Sequence, residues 1–259
     1  MLSAENLHLK VPSKEPNSKV LCEDLTLTLE AGQCWAILGK NGSGKTTLLH
    51  ALSGLGKPAA GRVRLDGQPL GEIPRRQLAL RVGALLQEET TAFSGTTLDY
   101  VLLGRFTHSA TLTPDISDIA AARHALHLAG IAQAEQQALA TLSGGERQRV
   151  RIALLLAQAP DIYFLDEPLQ HLDLPHQLAV MQLFRQLAHE AGKTVVMVLH
   201  DIFWASRFCD HALLIHDDGK IIYGDTPRMI TQNAMENLYQ CRFQTVSTSD
   251  GNYFLPTLE

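Results

Sequence analysis

The sequence predicts an α/β fold with a mainly parallel sheet, an antiparallel β-region towards the N-terminus and an inserted helical subdomain. Three observations carry this. Ile162-Tyr163-Phe164-Leu165 and Thr194-Val195-Val196-Met197-Val198-Leu199 are apolar on both faces, which suits parallel strands covered by helices. Cys34-Trp35-Ala36-Ile37-Leu38, a third such run, leads through a glycine-rich loop into the helical pattern Thr47–Leu52. Between about 88 and 158, apolar residues recur at helical spacing on a polar background.

In chain order, Leu7, Leu9 and Val11, then Leu25, Leu27 and Leu29, alternate as in half-buried strands, around a polar loop from Pro12 to Lys19. Arg62–Gly67 reads as a strand closed by an Asp-Gly turn, and Val82–Leu86 as a short buried strand ending at Gln87. Leu98–Leu103, Ile119–Ala129 and Gly144–Ala157 read as helices. Leu174–Glu190 reads as the helix joining the two apolar strands. Ala212–Ile215 and Lys220–Tyr223 flank Asp217-Asp218-Gly219, a hairpin signal, and Phe243–Leu255 around Asp250-Gly251 reads as another. One domain, 1–259, is expected. Its core is about 1–87 and 159–240, its helical subdomain about 88–158, and its C-terminal hairpin about 241–259.

Composition narrows the function. The chain has 259 residues, 45% hydrophobic and 19% charged, with a net charge of −5. That balance argues against a nucleic-acid partner bound through a basic surface. Four cysteines, at 22, 34, 209 and 241, form no Cys-x-x-Cys pair, so no zinc ribbon or thioredoxin-type site is indicated. Cys34 and Cys209 are expected in the core. No secretory signal is expected at Met1–Glu5, and the apolar stretches are too short to span a bilayer. A membrane role would come through a partner.

The chemistry is concentrated in a few short strings. Gly39-Lys40-Asn41-Gly42-Ser43-Gly44-Lys45-Thr46 is a G-x-x-x-x-G-K-[ST] loop between strand and helix. Such a loop wraps backbone N–H groups around a polyphosphate at a helix N-terminus. Lys45 is placed to reach the outer phosphates, and Thr46 to offer a hydroxyl to Mg²⁺. Asp166 and Glu167 end an apolar strand: Asp166 can hold the Mg²⁺ shell, and Glu167 can polarise an attacking water. Ser143-Gly144-Gly145-Glu146 opens a helix. Ser143 and Glu146 have capping-box spacing, and the two glycines leave bare amides, a second anion site.

These strings, with Gln87, Leu172-Asp173 and Leu199-His200-Asp201, resemble the ATP-binding subunit of ABC transporters, a P-loop NTPase family. Gly39–Thr46 matches Walker A, Gln87 the Q-loop, Leu142–Glu146 the signature, Asp166-Glu167 Walker B, Leu172-Asp173 the D-loop and His200 the switch histidine. The resemblance implies a head-to-tail dimer with a second copy of the chain, each ATP lying between one phosphate loop and the other subunit's signature. Gly39, Asn41, Gly42, Ser43, Gly44, Lys45, Thr46 and Thr47 would then bind ATP in cis, and Ser143, Gly144, Gly145 and Asp173 in trans. Glu167 would be the general base and Lys45 the charge stabiliser. His200 would contact the γ-phosphate. Thr46, Gln87 and Asp166 would hold Mg²⁺, and Gln87 would relay to the permease. The family's base-stacking aromatic aligns with Val11, and Gln170 stands where a smaller residue is common.

Leu98–Arg105 and His171–Gln177 resemble the subfamily that powers import of iron chelates, haem and vitamin B12 (cobalamin). The resemblance implies a peripheral protein on the cytoplasmic face of the membrane, working with polytopic permease subunits and, through them, with an extracytoplasmic binding protein. The alternatives are the ATPase of another ABC importer or exporter, or a soluble ABC ATPase. Paired ATP-binding domains, long coiled coils or cysteine-rich insertions, frequent in the soluble class, are not indicated here.

Overall fold

A computed structural model describes residues 1–10, 20–87, 93–108, 113–248 and 251–257. Val11, the loop 12–19 and Asp250 lie outside the described residues. The first elements are β1 (Leu2–Lys10), β2 (Val20–Leu29), β3 (Cys34–Gly39), α1 (Lys45–Ser53), β4 (Ala60–Leu65), β5 (Gln68–Pro69), α2 (Arg75–Arg81) and β6 (Val82–Leu85). Next come α3 (Thr97–Leu102), α4 (Ile116–Leu128), α5 (Gly144–Gln158), β7 (Ile162–Asp166), α6 (Leu174–His189) and β8 (Thr194–Val198). The chain closes with α7 (Ile202–Phe208), β9 (His211–Ile215), β10 (Ile221–Asp225), α8 (Thr226–Met229), α9 (Gln232–Tyr239), β11 (Phe243–Thr248) and β12 (Gly251–Pro256). The residues divide into two compact units, Met1–Ile73 with Phe184–Glu259, and Pro74–Leu183.

In the first unit, β1 pairs antiparallel with both β2 and β4, the antiparallel region expected from the leucine alternation. Leu2, Ala4, Leu7 and Leu9 fill one face of β1. A second sheet holds the parallel strands: β3 pairs with β8 and with β9, and β10 closes it antiparallel. All of β3 and all of β8 are buried, as expected for strands with no polar face. Because β3 and β8 run parallel, their C-terminal ends emerge at one edge, where open α/β sheets bind ligands. The phosphate loop leaves one end and His200 follows the other. The two tail hairpins form at the expected places, β9–β10 and β11–β12.

In the second unit, β6 and β7 form a parallel pair in register Val82↔Ile162 to Leu85↔Leu165. α5 lays Val150, Ile152, Ala153, Leu155 and Leu156 into the unit's core, and α4 adds Ala122, Ala125 and Leu126. α6 contributes buried Val180 and Met181 to this unit, while its Phe184 and Ala188, also buried, belong to the first unit.

Cys22, Cys34 and Cys209 are buried thiols, and Cys241 is exposed. The Cys34 and Cys209 sulfurs lie 3.8 Å apart, and the thiol contact with burial pushes Cys209 up. Among the described residues, no helix is long and apolar enough to cross a membrane.

Candidate functional site: a phosphate loop and a signature helix

The phosphate loop is shaped by contacts that exclude side chains. A Cβ on Gly39 would lie 2.7 Å from both the Ile215 carbonyl oxygen and Ser43 Oγ, and one on Gly44 would lie 2.7 Å from Leu21 Cδ1. Gly44 also holds φ at 102°, so it is fixed by space and by backbone together. It is the N-cap of α1 and provides no side-chain cap, and the first turn carries no acid. The leading N–H groups of α1 are therefore available to an anion, with the positive end of the helix behind them.

Lys45 is buried, and its Nζ donates to the Gly39 carbonyl at 2.9 Å and the Lys40 carbonyl at 2.8 Å. The ammonium is thus already bent over the loop, held by two loop carbonyls. Lys40 in turn pairs with Asp217 at 2.8 Å, tying the loop to the β9–β10 turn. Ser43 Oγ is buried without a hydrogen-bond partner among the described residues, a hydroxyl that a polar ligand could satisfy. Asn41 and Gly42 are exposed at the tip, and Thr46 and Thr47 are half-buried on the first turn of α1.

His200 follows β8 directly, where Leu199 N–H donates to the Ile37 carbonyl at 3.2 Å. It is exposed, and its neighbour Asp201 caps α7 by accepting from Phe203 N–H at 2.8 Å. The phosphate loop and His200 thus share the first unit.

Gln87, Ser143–Gly145, Asp166, Glu167 and Asp173 all fall in the second unit. The capping box at the start of α5 is formed. Glu146 N–H donates to Ser143 Oγ at 3.3 Å, and Glu146 Oε2 accepts from Ser143 N–H at 2.9 Å and from Ser143 Oγ at 2.7 Å. Those bonds, from the Ser143 amide first, lower the Glu146 pKa. The stabilisation is present above the ordinary carboxylate pKa and is lost as pH falls through the lowered one. The Ser143 hydroxyl is therefore engaged by the chain's own carboxylate, which an incoming phosphate would have to displace.

Gly145 is required by packing as well as by any ligand. A Cβ there would meet the His171 carbonyl oxygen at 2.7 Å, whereas a Cβ on Gly144 would meet His171 Cγ at an ordinary 3.5 Å. Gly145→Ala is expected to destabilise the protein by about 1–3 kcal/mol, a drop in melting temperature of roughly 2–4 °C per kcal/mol for a chain of this size. Gly144→Ala is the control, expected to leave the melting temperature within about 2 °C because the added methyl only makes ordinary contact.

Asp166 ends β7 with its side chain buried at 2% exposure. Glu167 is half-buried and takes φ 51°, a left-handed conformation for a non-glycine residue, and its carbonyl accepts from Gln170 N–H at 3.2 Å. His171 is also left-handed, at φ 62°. Asp173 is exposed, and its carboxyl is held below the usual range first by the His176 ring and then by His176 N–H. Gln87 is exposed just past β6.

Two residues absent from the sequence reading connect this unit's motifs. Gln148 Nε2 donates to the Pro168 carbonyl at 3.0 Å, and Arg151 donates to Gln148 Oε1 at 2.9 Å and to the Leu86 carbonyl. Both sit on α5, two and five residues past the end of the signature. No local pattern announces them, since their partners lie far off in the chain.

The chain matches the family model described as ABC transporter over residues 22–170. It is 38% identical over 224 residues to the ferric enterobactin transport ATP-binding protein FepC of Escherichia coli (strain K12), covering 86% of this chain and 82% of that protein. Among solved structures, a transporter described as of the metal-chelate type, in an inward-facing conformation, aligns with a TM-score of 0.83 at 28% identity. That alignment covers 100% of this chain and 98% of the other. A bacterial ABC transporter cassette solved as a dimer aligns with a TM-score of 0.78 at 28% identity, covering 87% of this chain and 99% of that one. By the family match and by these likenesses, the chain belongs to the ABC transporter family, as one of its ATP-binding members.

Proposed function

We propose that this chain is the ATP-hydrolysing subunit that powers a membrane importer for an iron chelate, with haem and cobalamin as the neighbouring cargo classes. The observation that carries the reading is one chain holding two separate glycine-flanked helix starts, an open one at Gly44 and one at Ser143 whose hydroxyl Glu146 holds until phosphate displaces it, together with Lys45, Asp166, Glu167 and His200. One nucleotide does not need both starts from one subunit. Two copies packed head-to-tail use each start once, and ATP then holds the copies together. The likeness to a dimeric cassette and to a metal-chelate type transporter supports this reading.

Within the proposed site, Gly39–Thr47 wraps the phosphates and Lys45 moves from the loop carbonyls to the outer phosphate oxygens. Ser143 and Gly145 of the second copy approach the γ-phosphate, with Asp173 beside the dimer contact. Glu167 accepts a proton from water as its oxygen bonds to the γ-phosphorus, and ADP carries away the bridging oxygen. His200 holds the γ-phosphate side of this geometry.

The donors also suit Mg²⁺. Among the described residues there is no cluster of three or more His, Cys, Asp or Glu side chains that would cage a metal. Thr46, Gln87 and the buried Asp166 offer single hard oxygens, fitting an ion that keeps waters and phosphate oxygens in its shell. Held by these residues, Mg²⁺ would supply positive charge against the β- and γ-phosphates. Residues 88–158 are proposed as the helical subdomain that meets the permease, placing the protein on the cytoplasmic membrane face. A binding protein would supply cargo from the other side. Val11 offers the base no ring, so the phosphates carry most of the recognition.

The test is affinity purification of the tagged full chain from its own cells. A polytopic membrane protein is expected to co-purify in detergent, and ATPase activity of that complex is expected to rise when it is reconstituted with cargo-loaded binding protein. Recovery of the chain with ribosomes or DNA, and with no membrane protein, would contradict the reading.

A further inference from the structure

We propose that Gln148 and Arg151 are positioning residues that lock Gln87 and Glu167 into one unit, so that neither moves without the other. The inference deepens the proposed ATPase reading and rests on it. Gln148 is 4% exposed, and its Nε2 reaches the Pro168 carbonyl at 3.0 Å, on the residue directly after Glu167. Its Oε1 accepts from Arg151 Nη1 at 2.9 Å, and Arg151 Nη2 donates to the Leu86 carbonyl, which belongs to the peptide that begins Gln87. The path is therefore continuous: Glu167-Pro168, Gln148, Arg151, Leu86-Gln87.

Two features make this more than routine polar satisfaction. First, Glu167 sits at φ 51°, which a non-glycine residue keeps only where its surroundings hold it. The Gln148 bond to the next carbonyl is such a hold, alongside the Gln170 N–H bond to the Glu167 carbonyl at 3.2 Å. Second, Gln148 and Arg151 stand three apart on α5, on one helix face, and that helix begins at the signature. The signature, the strand end bearing the general base and the start of the Q-loop thus share one rigid support. The planar guanidinium of Arg151 serves its two acceptors from separate nitrogens of one fixed fork, Nη1 to Gln148 and Nη2 to Leu86, a spacing that a single ammonium does not reproduce.

The experiment measures steady-state ATPase and, separately, equilibrium ATP binding for wild type, Gln148→Ala, Arg151→Met, Arg151→Lys and the double variant Gln148→Ala/Arg151→Met. Each single variant is expected to lower kcat about tenfold while the Kd for ATP stays within about twofold, since the bonds they make go to Pro168, Leu86 and each other. The double variant is expected to be no slower than the worse single one, because both act through one path. Arg151→Lys, with a single ammonium in place of the fork, is expected to recover part of the lost kcat. It also serves as the test should Arg151→Met fail to fold. Losses that multiply in the double variant, or singles that keep kcat within twofold of an active wild type, would overturn the inference. If wild type itself does not hydrolyse ATP, it is the ATPase reading that falls.

Discussion

Glu167→Gln is expected to cut ATP turnover by about 10²–10⁴-fold, the range for loss of a positioned general base, while ATP still binds. The substitution keeps the shape and the hydrogen-bonding size of the side chain and removes only its ability to take a proton at neutral pH. It leaves in place the two backbone bonds at the left-handed turn, where φ is 51°: the Gln170 amide to the Glu167 carbonyl and Gln148 Nε2 to the Pro168 carbonyl. The readout is release of phosphate under saturating ATP, with binding followed by calorimetry. A variant that hydrolyses at a third or more of the wild-type rate would remove Glu167 from the role of base.

Lys45→Ala is expected to weaken ATP by roughly 2–5 kcal/mol, the cost of truncating one partner of a buried charge pair, which is about 30- to several-thousand-fold in Kd. The Lys45 ammonium is buried and already poised between the Gly39 and Lys40 carbonyls, so it needs only to exchange acceptors when phosphate arrives. The same bonds mean that the alanine variant leaves two loop carbonyls without this donor, so its melting temperature must be recorded beside its affinity. Wild-type ATP affinity in a folded Lys45→Ala would remove the phosphate loop as the nucleotide site.

Most of this architecture is legible in the chain because its causes are local. Continuous apolar runs announce the buried strands β3, β7 and β8, since a strand with no polar face has only a covered sheet to enter. The capping box at Ser143 and Glu146 is legible because both partners lie within one helical turn. The hairpins follow from their glycine turns. What stays hidden has distant causes. Helices α2 and α7, of seven residues each, are not marked in the sequence, and in Ile202–Phe208 only Ser206 and Arg207 are polar, too few to set a helical period. Glu167 and His171 adopt left-handed backbone without being glycine, so no residue type marks the turn. Gln148 and Arg151 reach partners 20 and 65 positions away, and only the packing of α5 against β6 and the turn after β7 brings them together. Gly145 has a dual reason: the sequence suggests a bare amide, and the structure adds a backbone approach from His171 that leaves no room for a methyl.

The Ser143 hydroxyl carries a further consequence. It is bonded to Glu146 in the single chain, so phosphate from a second copy's site must compete with that carboxylate. Dimer closure should therefore demand the triphosphate, whose terminal charge is the strongest competitor, and ADP should not suffice.

The central claim is that each chain holds two halves of different sites, joined only when ATP brings two copies together. Light scattering of Glu167→Gln, purified free of nucleotide, tests it most directly. The mass is expected to double on addition of Mg²⁺ and ATP, and to stay that of one chain with ADP or with no nucleotide. A mass that remains that of one chain at saturating, verified ATP occupancy, or a dimer that forms equally without nucleotide, would contradict the account.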